Sequence, residues 1–487
     1  MWLVTLWRRA PDVMPSKPPT PDASLPSPSR SLVLSVLIES MRSDEGLDVL
    51  MDRALVRSSL DGRDRALAVE MTYGVMRRLA TIDWRLEPVL DKPLARLPMA
   101  VQMLLRVGAY QLLFLDRIPA SAAVSEAVKL AKLQTHKLKR DWSGLVNAVL
   151  RTLLREPSPR WPLMETQPAE ALAVKYSVPE WLSRRWLERW GIDRASAACE
   201  QTSVIPPLTL RVNRLQTTRD EFLDRLHAAG LSAKPTRVSP MGVILEEGGI
   251  IPSVPGFSEG QFYVEDEGAQ LIPPLLDVQP GDLVLDACAA PGGKATHVAE
   301  LMNNTGRIFA VDRSESRLKL LDANRKRLRH ESLVSIAGDL RDSSWPKRIP
   351  QHLGFGNGFG QFDRILVDAP CSGLGVLRRH PEGKWRKSSE QFERHHALQL
   401  QILEAASLRL RPGGVLVYST CSTEAEENES VIDQFLQSHA EFRRESVAPC
   451  LPEAGRDLLT ARGDLCTMGN QDSMDAFYAA RLKRVCS

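Results

Sequence analysis

The sequence predicts a multidomain chain in which an all-α bundle is followed by a small α/β subdomain and then a doubly wound α/β domain. Three observations predict it. The chain has 487 residues, against roughly 100–200 for an ordinary domain. From Leu32 to about Arg160, apolar residues recur three and four positions apart with few strand signals between them. From about Gly256, short β-branched runs alternate with helical segments, the texture of a parallel sheet covered on both faces. The boundaries read from these changes are 1–30 for a proline-rich tail, 31–160 for the bundle, 161–255 for the subdomain and 256–487 for the doubly wound domain.

Composition excludes several classes. Hydrophobic residues make up 43% and charged residues 25%, which rules out a collagen or a wholly disordered chain. No apolar run approaches the length of about 18 residues that a membrane span needs. Net charge is only +3, so charge is informative only locally. The seven cysteines are Cys199, Cys288, Cys371, Cys421, Cys450, Cys466 and Cys486. Their number is odd and no pair has C-x-x-C spacing, so neither a disulfide framework nor a metal site is expected, and a reducing, cytoplasmic location fits. The first 30 residues hold seven prolines and are expected to be disordered. Met1–Trp7 is too short for a signal-peptide core.

In the bundle, Leu34, Leu37, Ile38 and Met41 mark one helix, and Ala66, Val69, Tyr73 and Met76 a second. Val101 to Leu115 is apolar on most of its surface and is expected at the buried centre. Further helices start at Pro119 and run through Leu145–Leu153. Residues 31–160 carry 20 Lys and Arg against 15 Asp and Glu. Lys132, Lys137, Lys139, Arg140 and Arg151, with His136 and Trp142 among them, suit a phosphate backbone with stacking, although a solvated helix end has the same composition.

Residues 156–161 (EPSPRW) read as a linker. In the subdomain, Trp181, Leu182, Trp186 and Trp190 lie on a helix, Leu208–Asn213 alternates like a strand, and Phe222–Leu231 is an amphipathic helix. In the third domain the expected strands are Leu283–Asp286, Arg307–Asp312, Leu333–Gly338, Arg364–Asp368 and Gly414–Ser419.

Ligands of an open parallel sheet bind at the carboxyl ends of its strands. The first strand is followed there by DACAAPGGK (286–294), the second ends at Asp312, Asp339 follows the third, DAPC (368–371) ends the fourth, and Ser419-Thr420-Cys421 ends the fifth. The first loop is built of small residues and opens a helix, which suits close approach of a ligand. Asp312 stands 19 residues past Gly293, the usual interval to a ribose-binding acid. The loop lacks the G-x-G-x-x-G pattern of a diphosphate site, so a nucleoside cofactor without a diphosphate is expected, S-adenosylmethionine being the obvious one.

Cys371 and Cys421, at neighbouring strand ends, are the sharpest feature. A thiolate there can attack an electron-poor ring. Carbon 6 of cytosine is such a position, and attack there makes carbon 5 nucleophilic toward a methyl sulfonium. A carboxyl near N3, the role open to Asp368, would favour the attack. The residues themselves do not rank the two cysteines.

Three segments read more plainly. Thr423–Glu426 resembles a capping box. Arg378-Arg379-His380-Pro381 with Lys384, Trp385 and Arg386 is basic and aromatic and is expected to bind nucleic acid beside the active site. Residues 354–360, rich in glycine, precede a strand and read as a flexible loop.

The C-terminal half resembles the Nop/Sun family of RNA cytosine-carbon-5 methyltransferases through DACAAPGGK (286–294), VD (311–312), AGD (337–339), DAPCSGLGVLRRHP (368–381) and YSTCSTEAEENE (418–429). The bundle resembles the antitermination factor NusB, an RNA-binding helical fold, through IPASAAVSEAVKLAK (118–132) and LVNAVLR (145–151). The resemblance covers nearly all of residues 32–487. It implies a NusB-like RNA-binding domain, a small RNA-binding subdomain and a Rossmann-like methyltransferase domain acting on one cytosine of small-subunit (16S) ribosomal RNA.

Carried over by position, Cys288, Ala289, Ala290, Pro291, Gly292, Gly293 and Lys294 would form the S-adenosylmethionine loop. Asp312 would hold the ribose, Asp339 would sit by the adenine, and Asp368 would lie near the methionine end and the base. Cys421 would be the nucleophile and Cys371 would help release the product. Two departures from the family pattern, Gly383 and Ala476, touch local loop shape. The expected protein is a monomeric methyltransferase with ribosomal RNA as partner and with neither membrane nor metal. The rival expectations are action on another RNA or on DNA, and a catalytically idle RNA-binding factor.

Overall fold

The computed structural model describes residues 25–246, 251–342, 345, 361–468 and 474–485. The glycine-rich loop 354–360 and the first 24 residues of the expected tail lie outside them. The tail's end does not follow expectation, because the first helix already starts at Pro28 (Pro28–Ser40). A proline is tolerated in a first helical turn, where its missing N–H would have no partner anyway.

The chain divides into two units. One comprises the described residues up to Ile205 together with Leu377–Arg386. Its helices are Pro28–Ser40, Leu47–Val56, Gly62–Arg77, Leu79–Leu86, Met99–Phe114, Ala120–Leu138, Ser143–Arg155, Pro168–Tyr176 and Glu180–Gln201. Met99–Phe114 is the expected centre, with every residue from Ala100 to Gln111 buried. Its one buried cation, Arg106, forms a two-bond fork with Asp83 at 2.8 Å per bond.

Helices Pro168–Tyr176 and Glu180–Gln201, inside the span 161–255, group with this unit by contact. Thr81 Oγ1 donates to the Val174 carbonyl at 2.6 Å, and the Ser177 hydroxyl accepts from the Ala80 amide at 2.9 Å. The basic, aromatic stretch 377–386 is not an exposed nucleic-acid loop. Arg378, Arg379 and Lys384 are buried, and Trp385 Nε1 donates to the Met76 carbonyl at 2.9 Å. Lys384 Nζ reaches the carbonyls of Ser177 at 3.0 Å and Arg77 at 3.4 Å. These carbonyls stand at the C-terminal ends of two helices, where orphan acceptors and the helix dipole favour a cation.

The other unit holds two sheets. The smaller has order β2-β3-β1-β4 and is antiparallel throughout, from β1 (Leu208–Val212), β2 (Ala233–Pro235), β3 (Gly242–Leu245) and β4 (Phe262–Val264). The break expected at 255/256 therefore falls inside this sheet, because β4 is a three-residue strand with no legible alternation. Its helix is Arg219–Ala228, set by a complete Thr218/Glu221 capping box.

The larger sheet comprises β5 (Leu283–Asp286), β6 (Arg307–Asp312), β7 (Leu333–Ala337), β8 (Phe362–Asp368), β9 (Leu410–Thr420), β10 (Phe442–Glu445), β11 (Leu465–Cys466) and β12 (Tyr478–Arg484). Its order is β10-β12-β9-β8-β5-β6-β7, with β11 paired to β12. β5 to β9 pair in parallel, while β10 to β12 are antiparallel additions. Alternate residues enter opposite cores: Val284, Ile308 and Leu366 one, Leu285, Phe309 and Ile365 the other. That is why the strands read as unbroken apolar runs. The chain lays β6 and β7 on one side of β5, then β8 and β9 on the other, so the strand order reverses beside β5. A crevice opens at such a switch point.

Candidate active site

The expected cofactor loop stands at that switch point. It leaves β5 at Asp286 and enters helix Gly293–Leu301. Gly292 has φ +106°, and a Cβ there would meet Leu321 Cγ at 2.8 Å, so only glycine fits. Asp312 joins this loop to the next strand. Its Oδ2 accepts from the Ala290 amide at 3.1 Å and its Oδ1 from the Ser314 amide at 2.9 Å. The Asp312 carbonyl accepts from the Gly338 amide at 2.9 Å. Asp339 is gripped by Arg341 with bonds of 2.7 and 3.0 Å, and this pairing holds its carboxyl below the usual range.

Beside the loop lies an acidic cluster with one half-buried ammonium. Lys294 Nζ donates to Asp368 Oδ2 at 2.7 Å, and Ser419, the register partner of Asp368, donates to its Oδ1 at 2.9 Å. Burial alone would lower the Lys294 ammonium, but Asp368 outweighs it and holds the group above its ordinary value. Asp286 is 1% exposed and neither of its carboxyl oxygens has a hydrogen-bond partner. Burial and the nearby Asp368 push it up to about 8, against the pull of Lys294. Burial, followed by the same carboxylates, pushes the Cys288 thiol well up.

The two cysteines meet. Cys371 Sγ and Cys421 Sγ are 3.4 Å apart, and both residues are half-buried. The Gly375 amide donates to the Cys421 carbonyl at 2.9 Å, and the Ala476 amide donates to the Gly375 carbonyl at 3.0 Å. A Cβ on Gly375 would stand 2.1 Å from the Ala476 oxygen, so the two turns close only over a glycine. The contact with Cys421, followed by burial, pushes the Cys371 thiol well up. Every residue predicted for the site therefore lies in this unit, at the carboxyl ends of β5 to β9.

Sequence reasoning misread one stretch and missed two supports. Thr423–Glu426 is not a capping box: Thr423 Oγ1 donates to Glu424 Oε1 at 2.8 Å, a 3-10 turn spans Ala425–Glu427, and the helix starts only at Glu429. Glu427, one residue beyond that stretch, bonds the residue after each cysteine. Arg211, in β1, is fully buried and donates to Glu265, to the Gly293 carbonyl at 2.8 Å, to Thr296 at 2.9 Å and to Glu300 at 2.9 Å. An arginine within an alternating strand was the only available signal for it. Among the described residues, no cluster of His, Cys, Asp or Glu has the makings of a metal site, and no helix is long and apolar enough to cross a membrane.

A doubly wound sheet with a glycine-bearing loop at its switch point and an acid at each neighbouring strand end defines a methyltransferase fold, and known proteins agree. Residues 273–483 match the family described as 16S rRNA methyltransferase RsmB/F, residues 27–155 the NusB family, and residues 178–251 the RsmF/B-like ferredoxin-like domain. The chain is 36% identical to the probable ribosomal RNA small subunit methyltransferase B of Synechocystis, covering 94% of this chain and 99% of that one. It is 37% identical to ribosomal RNA small subunit methyltransferase B of Pseudomonas putida, over 90% and 96% of the two chains. Among solved structures, PH0851 superposes with a TM-score of 0.78 at 25% identity, covering 94% of this chain and 99% of that one. The chain belongs to the RsmB/F family of methyltransferases, with a NusB domain and a ferredoxin-like domain before its catalytic one.

Proposed function

We propose that this enzyme transfers a methyl group from S-adenosylmethionine to carbon 5 of one cytosine in 16S ribosomal RNA, through a covalent bond between a cysteine and carbon 6. The observation that carries the reading is the pair of sulfurs 3.4 Å apart beside the Lys294–Asp368 pair. The names of the relatives, which act on small-subunit ribosomal RNA, support the substrate.

The donor supplies an electrophilic methyl group on a sulfonium. Its cationic character suits the part-exposed carboxyls of Asp312 and Asp368, with Asp286 buried behind them. Cys288 to Lys294 would cradle it, with Asp312 on the ribose and Asp339 by the adenine. Cys421 would attack carbon 6 as the thiolate, while Asp368 would hold the N3 side of the ring. Once carbon 5 carries the methyl, its proton leaves to a base, the carbon 5–carbon 6 double bond re-forms, and the carbon 6–sulfur bond breaks. Cys371 would assist that release.

We assign the RNA grip to the bundle of residues 31–160 and the subdomain that follows. Arg140 lies over the Trp142 ring at 4.3 Å, a basic and aromatic surface of the kind RNA favours. A monomer in the cytoplasm completes the reading.

Bisulfite sequencing of 16S ribosomal RNA tests it. Cells lacking the protein should lose protection at one cytosine, and an unchanged pattern overturns the assignment. With RNA containing 5-fluorocytidine, Cys371→Ala should still trap a covalent adduct and Cys421→Ala should not; the reverse outcome exchanges the two roles.

A further inference from the structure

Glu427 carries no part of the chemistry above, yet it is fully buried at the base of both cysteine turns. Its Oε1 accepts from the Ser372 amide at 2.7 Å, with Gln399 Nε2 at 3.4 Å. Its Oε2 accepts from the hydroxyls of both Ser372 and Ser422, which lie 3.2 Å from each other. Ser372 directly follows Cys371, and Ser422 directly follows Cys421. Gln399 also donates to the Pro370 carbonyl at 3.0 Å, on the other side of Cys371. The Glu427 carbonyl in turn accepts from Tyr418 in β9 at 2.6 Å.

A buried carboxylate needs a full set of donors. Here that set is drawn from the chain on either side of the paired sulfurs. His395 stands 3.9 Å away, too far for a hydrogen bond, and burial holds its imidazole below its ordinary value. The hydrogen bonds to Glu427 therefore come from neutral donors, and the two turns supply most of them.

We propose that Glu427 is a positioning residue that fixes the separation of Cys371 and Cys421, so that a single base can be attacked by one sulfur and released with help from the other. The proposal rests on the cysteine roles given above. It explains why a carboxylate occupies this place, since two serine hydroxyls and an amide can converge on one oxygen pair but not on an apolar side chain.

The test uses the full-length protein and the variants Glu427→Gln, Glu427→Ala and the double Ser372→Ala/Ser422→Ala. A short bifunctional thiol reagent that bridges only adjacent sulfurs reports the separation, and mass mapping identifies the bridged peptides. Well below the melting temperature, bridging of Cys371 to Cys421 should slow by about tenfold or more in Glu427→Ala and less in Glu427→Gln. Single-turnover methylation should fall by up to about a hundredfold, as for a misplacement of an ångström or so, with RNA affinity unchanged.

Bridging and turnover at wild-type rates in Glu427→Gln and in the serine double variant would overturn the proposal, even if their melting temperatures fell. If Glu427→Ala does not fold, those two variants decide. Slow bridging in the variants of a chain that methylates no ribosomal RNA would instead overturn the proposed function and leave the positioning role standing.

Discussion

Lys294 Nζ lies 2.7 Å from Asp368 Oδ2, so the helix that follows the cofactor loop is tied to the end of β8 by a single half-buried pair. Among the described residues it is the only cation-to-carboxylate bond of Asp368.

Replacing Lys294 with Met removes the cation that offsets Asp286 and Asp368. Stability should fall by about 1–3 kcal/mol, the penalty for leaving a hydrogen-bonded charged group without its partner. Methyl transfer should fall further than stability alone explains. Thermal melting and a labelled-methyl assay on the same sample separate the two effects.

Asp286 should make stability depend on pH in the chain without its cofactor. Its pKa rises from near 3.9 in the unfolded chain to about 8 in the fold. Between those values the folded state binds more protons, so stability declines as pH rises from about 4 and levels off above about 8. Asp286→Asn escapes this penalty. Its unfolding free energy should match wild type near pH 4 and exceed it increasingly up to pH 8, by a few kcal/mol. A constant difference across that range would refute the assignment.

Arg211 holds Glu265 and Glu300 against the helix of the cofactor loop. Arg211→Met leaves two buried carboxylates uncompensated and should cost about 3–5 kcal/mol. Burial already pushes Glu300 up to about 7 with the arginine present. Without it Glu300 should protonate more readily still, so the loss should shrink toward pH 5. Arg211→Lys should recover only part of the stability, because one ammonium cannot serve four acceptors in a fork. Denaturant unfolding at pH 5 and pH 8 checks both statements.

Gly375→Ala should separate the cysteine turns without unfolding the protein. The added Cβ would stand 2.1 Å from the Ala476 oxygen and 2.9 Å from that of Cys421. Gly373 has φ +70° but only one atom, at 3.7 Å, near its would-be Cβ, so Gly373→Ala should cost only about 1 kcal/mol of backbone strain. Adduct trapping on 5-fluorocytidine RNA should fail in the first variant and persist in the second.

The parallel strands and the loops at their ends were legible because a two-sided sheet writes itself as apolar runs with polar residues at one end. Leu283–Asp286 and Arg307–Asp312 fall on their expected bounds. The antiparallel strands β10 and β12 were not legible: both mix charged residues with apolar ones, as in RLKR at the end of β12. The two helices Leu47–Val56 and Leu79–Leu86 are only ten and eight residues long, so their apolar faces repeat over barely two turns. At the site, the residue types that do chemistry stood out, but the residues that aim them did not. Glu427 and Arg211 act through partners more than 50 residues away, and no local pattern announces a bond of that kind. The same is true of Lys384: a basic stretch reads as surface until the helix ends that receive it are known.

The excursion of Leu377–Arg386 has a practical result for anyone dividing the protein. A fragment ending at Ile205 would lack ten residues that its own helices enclose. The Met76 carbonyl would lose Trp385, the Leu47 amide would lose the Glu382 carboxylate, and the space of a whole lysine would open beside Ser177. The reciprocal fragment would present Leu377 and Trp385 to water. Neither half is a module in the genetic sense, and a helical piece expected to behave as a free-standing protein would first need that decapeptide returned to it.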